Sequence, residues 1–276
     1  MLKKLLKYDF NSIFKYWWIG ALTTFILSFV GTGCISINCS PKDFPEPVYV
    51  FSTIGIVLVV LSFSAFALMT ALLVYIRFYK HFYSDEGYLT FTLPVKRYQL
   101  LTSKLISGSV ATLLTALVTL INGAIVLIPV LKEDVFYKGW EKDFKIAVSN
   151  LVKANGIFNL TVDGISIILI VLLSVILVTL FAYLCITVGC IVSKKAKIAS
   201  AIGIYYGLST VATVLMYLFY FFAVDTLDGW MAKLPNEQEL ALIPVILILV
   251  ILIMLMLCLV FYTLINWLMD RKLNMT

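Results

Sequence analysis

Six long, almost unbroken apolar stretches run along the chain at about 17–38, 49–77, 100–131, 164–193, 197–224 and 240–269, separated by polar segments. Each is long enough to cross a hydrocarbon core of about 30 Å as a helix, which takes roughly 20 residues at 1.5 Å rise per residue. Polar and apolar positions do not alternate with period two, so the stretches predict helices rather than barrel strands. The expected fold class is therefore an all-α membrane protein with six transmembrane helices in one domain spanning 1–276. Ahead of the first stretch, residues 1–16 have a different pattern. Leu2, Leu5, Leu6, Phe10, Ile13, Phe14 and Trp17 recur at helical spacing, and Lys3, Lys4, Lys7, Asn11, Ser12 and Lys15 take the other face. That pattern predicts a separate amphipathic helix lying in the inner interface with its lysines toward anionic headgroups. Trp17 and Trp18 would mark the headgroup level where the first span starts.

Composition strengthens the membrane assignment. The chain is 62% apolar and 13% charged with a mean hydropathy of +1.03, whereas a soluble domain is about half apolar and about a quarter charged. Charge then sets an orientation. Fourteen of the 21 basic residues fall on the flanks that include both termini. The positive-inside rule places those flanks in the cytoplasm. The net charge of +6 thus has a membrane explanation and needs no nucleic-acid partner.

Candidate chemistry is sparse. There is one histidine, His81, and the five cysteines form no CxxC pair, which argues against metal and redox sites. Cys185, Cys190 and Cys258 read as small apolar residues of the spans, and the spacing of Cys34 and Cys39 does not demand a disulfide. The 15 acidic and 21 basic residues can all be placed outside the span centres, where an ion-coupled carrier usually needs ionisable groups. No HExxH cluster and no GxxxxGK[ST] loop is present, so neither an enzyme nor a bound ATP or other cofactor is expected of this chain. Gly203 and Gly207 form a GxxxG row, extended by Ala199, suited either to an intrachain helix contact or to a dimer interface. Residues 132–163 form the largest outer loop. Trp140, Phe144, Val148, Leu151 and Val152 within it are spaced for a short amphipathic helix, which would rest on the outer leaflet or act as a lid.

The inner loop after the second stretch mixes aromatics and charges: RFYKHFYSDEGYLTFTLPVKRYQLLTSKLI, residues 77–106. Tyr79, Phe82 and Tyr83 lie near an apolar stripe. Asp85, Glu86 and Gly87 follow as a helix end or turn, with Gly87 able to take a positive φ. Pro94 would start or stop a helix at the inner surface. Its chemistry suits either a plain interfacial loop or a docking element. The segment resembles the corresponding loop of permease subunits of the type-two ABC exporter family. The resemblance rests on Asp85 or Glu86, Gly87, the apolar Leu89 to Leu93, Pro94, Arg97 and Lys104, and it extends to the topology of the chain. The N-terminal LLKYDFNSIFKYW is similar to small permeases of low-GC Gram-positive bacteria.

The resemblance implies a multi-pass protein of a bacterial cell membrane, exporting an amphipathic or apolar substrate such as a peptide, lipid or drug. Its partners would be a separate ABC ATPase subunit, which binds the ATP, and a second permease chain, identical or not. Residues 77–98 would hold a cytoplasmic coupling helix seated on the ATPase, with Tyr83, Asp85, Glu86, Gly87 and Pro94 as the coupling residues. The large outer loop precedes span four here, whereas better-known exporters of the group carry theirs before span six. The competing readings are a stand-alone carrier and a structural or sensory subunit that moves nothing.

Overall fold

The computed structural model describes residues 2–40, 44–84, 87, 97–132, 140–193, 196–231 and 236–272. They form six helices, α1 (Leu2–Cys39), α2 (Glu46–Tyr83), α3 (Arg97–Lys132), α4 (Trp140–Val192), α5 (Lys197–Met231) and α6 (Asn236–Lys272), with no strand among the described residues. All six are long and apolar enough to cross a membrane. Helix satisfies every backbone group internally, which is why long apolar sequence adopts it where water is absent. At the start of α2, Pro45 stands outside the helix and Pro47 lies in its first turn, where a missing N–H costs nothing. Pro129 and Pro244 lie inside α3 and α6 rather than ending them.

The helices outrun the predicted stretches. Residues 2–16 are not a separate element: α1 continues without a break from Leu2 to Cys39. Part of the apolar arc is turned inward, with Ile13 and Trp17 buried, and Asp9 is buried beside them. Similarly, α4 begins at Trp140, so the stretch from there to residue 163, expected as outer loop, is the first part of a 53-residue helix. At 1.5 Å per residue that helix is about 80 Å long. The side chains of Trp140, Phe144, Val148, Leu151 and Val152 lie outside those described.

The chain divides into two compact units, Met1–Phe144 and Lys145–Thr276. In the first, α1 packs along both α2 and α3, which also touch each other. Glycines make the α1–α2 approach close. A Cβ on Gly20 would stand 2.6 Å from the Phe66 ring, one on Gly31 3.1 Å from Val59, and one on Gly55 2.5 Å from Cys34 Sγ. Without a hydrophobic drive between helices in lipid, such close backbone approach is what holds them.

In the second unit α4 and α5 form a hairpin whose tightest point is Gly189 against the Ala201 backbone. The Ser200 hydroxyl donates to the Gly189 carbonyl at 2.7 Å. Phe181 of α4 packs against Tyr205 of α5 and Phe261 of α6, with centroids 5.6 and 6.1 Å apart. The outer faces of α5 and α6 are lined by exposed apolar residues such as Val211, Leu215, Leu252 and Met256, as lipid-facing helices require.

A buried charge cluster as candidate functional site

The inward arc of α1 carries one carboxylate. Asp9 is 4% exposed and is held by groups from both neighbouring helices. Lys104 Nζ of α3 donates to Oδ1. Arg77 of α2 donates from one guanidinium nitrogen to the same oxygen and to the Tyr8 carbonyl, both at 3.3 Å. The Ser103 hydroxyl donates to Oδ2 at 2.7 Å. Ser103 and Lys104 are themselves buried. Asp9 thus fastens three helices at one level. Formally, two cations meet one carboxylate there among the described residues.

Deeper in the same unit the ties are neutral. Trp17 Nε1 donates to Thr115 Oγ1 at 2.8 Å, and the Thr115 and Thr70 hydroxyls lie 3.0 Å apart. Asn122 Nδ2 donates to Thr24 Oγ1 at 3.3 Å. Toward the far end of α1 the Ser52 hydroxyl donates to Asn38 Oδ1 at 2.9 Å. Trp17 is therefore an interhelical anchor, and Trp18, exposed beside it, is left as the expected headgroup-level indole. Cys34 and Cys39 are free thiols.

The Asp9 layer lies directly behind the end of α2 that leads toward α3. There Phe78, Phe82 and Tyr83 form a buried trio with ring centroids 5.0 to 6.5 Å apart. Tyr83, expected among the coupling residues, packs within this trio. Gly87 is buried too, and its N–H donates to the Ser84 carbonyl at 2.8 Å. It does not take the positive φ expected of it. A Cβ there would lie 2.9 Å from the Phe82 carbonyl oxygen, so crowding is what requires glycine. Asp85, Glu86 and Pro94 lie outside the described residues.

Gly203 and Gly207 are exposed on α5, and among the described residues no atom stands within 4 Å of a Cβ at either position. Within Lys145–Thr276 no described residue packs closely on this row. A close approach is made instead at Gly189, which heads a less conspicuous small-residue row with Ser193 four positions on. Asp9 left a fainter mark in the sequence, a lone carboxylate amid Leu2, Leu6 and Ile13 on one helical arc. Lys104 is the one member of the cluster that also belongs to the family pattern. No protein-family model, curated protein or solved structure matches this chain.

Proposed function

We propose that this chain is the membrane-spanning permease subunit of an ATP-binding cassette exporter. It would move an amphipathic or apolar substrate outward across a bacterial cell membrane, with both termini in the cytoplasm. A separate ATPase subunit would bind and hydrolyse the ATP, and a second permease chain would complete the pathway. One observation supports this above the rest: the loop that carries the family resemblance joins α2 to α3, the two helices that Asp9 locks to α1. A push on residues 85–96 would move three helices as one body. Nucleotide on the ATPase can shift the permease only if the loop is held differently in the two states, and a rigid attachment makes that difference count. The exposed row of Ala199, Gly203 and Gly207 on α5 is the first candidate for pairing with the second permease.

The test is co-purification from gently solubilised native membranes. A P-loop ATPase should accompany the chain and be lost when residues 80–94 are replaced. Gly87→Pro, which removes the N–H held by Ser84, and Glu86→Lys should leave ATP hydrolysis running while transport stops. Failure of any ATPase to co-purify, or normal transport in both variants, would sink the exporter assignment. The buried carboxylate favours one alternative, a proton-coupled carrier. In that case the chain alone in proteoliposomes moves cargo down a proton gradient, and Asp9→Asn stops it.

A further inference from the structure

Between α1 and α2, beside the Asp9 layer, lies a groove of about 270 Å³, lined among others by Ser12 and Tyr16 of α1 and by Ile76, Arg77, Lys80 and His81 of α2. Its level relative to a bilayer can be read from exposure. Along α1, the exposed residues are polar or ring-hydroxyl up to Tyr16 (Lys3, Lys4, Lys7, Tyr8, Asn11, Ser12 and Lys15), and from Ile19 to Val30 they are apolar (Ile19, Leu22, Phe25, Ile26) except for Thr23. Along α2, running the other way, Leu68, Leu72 and Ile76 are exposed before Arg77 and Lys80. Both helices change character at the groove, so it lies where hydrocarbon gives way to headgroups, with the amphipathic rings of Tyr16 and Trp18 alongside.

Its chemistry is cationic. Among the described residues no acidic side chain lines it. Asp9, the carboxylate beside it among the described residues, is already shared by Arg77 and Lys104. Arg77 lines the groove and makes its described hydrogen bonds from one terminal nitrogen only, and Lys80 is exposed. A guanidinium with donors to spare, an ammonium, a phenol and a hydroxyl around one small cavity match a phosphate monoanion. The volume is just under the roughly 300 Å³ at which small-molecule pockets begin, enough for a headgroup and not for a whole lipid.

We infer that this groove is a binding site for the phosphate headgroup of an anionic phospholipid, whose acyl chains continue along the apolar faces of α1 and α2. The inference does not depend on the exporter assignment. The test is native mass spectrometry of the full-length chain in mild detergent, titrated with phosphatidylglycerol or phosphatidylcholine. The first phosphatidylglycerol should bind more tightly than phosphatidylcholine. Lys80→Gln should weaken it roughly fivefold, the worth of one basic residue at a membrane surface. Ser12→Trp, which fills the groove without changing charge, should abolish the preference, and Lys4→Gln, exposed outside the groove, should preserve it. Arg77→Gln is a less clean variant because it also loosens Asp9. Equal affinity for the two lipids, or an unchanged affinity in both Lys80→Gln and Ser12→Trp, would overturn the inference. Displacement of the lipid by millimolar inorganic phosphate would overturn it in favour of a soluble anion.

Discussion

Among single residues Asp9 matters most to the first unit, and magnitudes say why. Neutral interhelical hydrogen bonds such as Trp17 to Thr115 are worth about 0.6 kcal/mol on average within membrane bundles. Removing one member of a buried charge pair costs about 3–5 kcal/mol, because the remaining charges lose their compensation. Asp9→Ala should therefore lower the thermal unfolding midpoint in detergent far more than Thr115→Val does. Replacing Asp9, Arg77 and Lys104 together by Leu, Met and Met should restore most of the loss, since well-packed apolar residues often substitute for a buried ion group without penalty. A triple variant as unstable as Asp9→Ala would show that the cluster is not the source of the effect. The sequence offered this residue only as an exception, a carboxylate on an apolar arc. Helical spacing places a side chain on a face, but it does not say whether lipid or protein covers that face. For the same reason Trp17 reads as a headgroup marker until α3 supplies Thr115.

At the scale of elements, the six helices were legible almost in full and their ends were not. Apolar length specifies a span because bilayer thickness is fixed. It does not stop a helix that continues into water, and so α1 and α4 run on through residues expected as an interfacial helix and as a loop. The small-residue signal has a similar limit. GxxxG at Gly203 and Gly207 is a pattern on one helix, whereas a crossing needs two, and the hairpin between α4 and α5 closes on Gly189. The two sites should behave oppositely. A Cβ at Gly189 meets backbone of Ala201 at 2.4 and 2.6 Å, which cannot rotate away as a side chain can. Gly189→Val should reduce folded yield in detergent, with a cost of at least about 1–3 kcal/mol from overpacking. Gly203→Val and Gly207→Val should leave the monomer as stable as the parent and, if α5 pairs two permeases, abolish the dimer seen by cross-linking.

For the whole molecule, orientation is the property on which the proposed function depends. If both termini are cytoplasmic, the far end of α1 is outside, and with it Cys39. A variant retaining only Cys39, which is partly exposed, should react with a membrane-impermeant maleimide added to intact cells. One retaining only the buried Cys185 or Cys190 should not. Labelling of Cys39 only after lysis would reverse the topology and put the inner loop beyond reach of a cytoplasmic ATPase. The fold class was open to the sequence because it is a matter of solvent. The candidate site was half open: its loop carries a readable motif, and the cluster that braces it unites residues 9, 77, 103 and 104, which no local pattern links.

The sharing of Asp9 also has a history during synthesis. Lys104 follows it by 95 positions, which at roughly 5–20 residues per second takes the ribosome about 5–20 s. Arg77 follows by only 68 positions, so until then the carboxylate has neither cation and afterwards Arg77 alone, and an uncompensated charge resists burial. The nascent N-terminus must then wait at the water's edge with α1 only partly committed, until α2 and α3 arrive to draw it in. Correct biogenesis of this protein would thus be decided late, by its third helix.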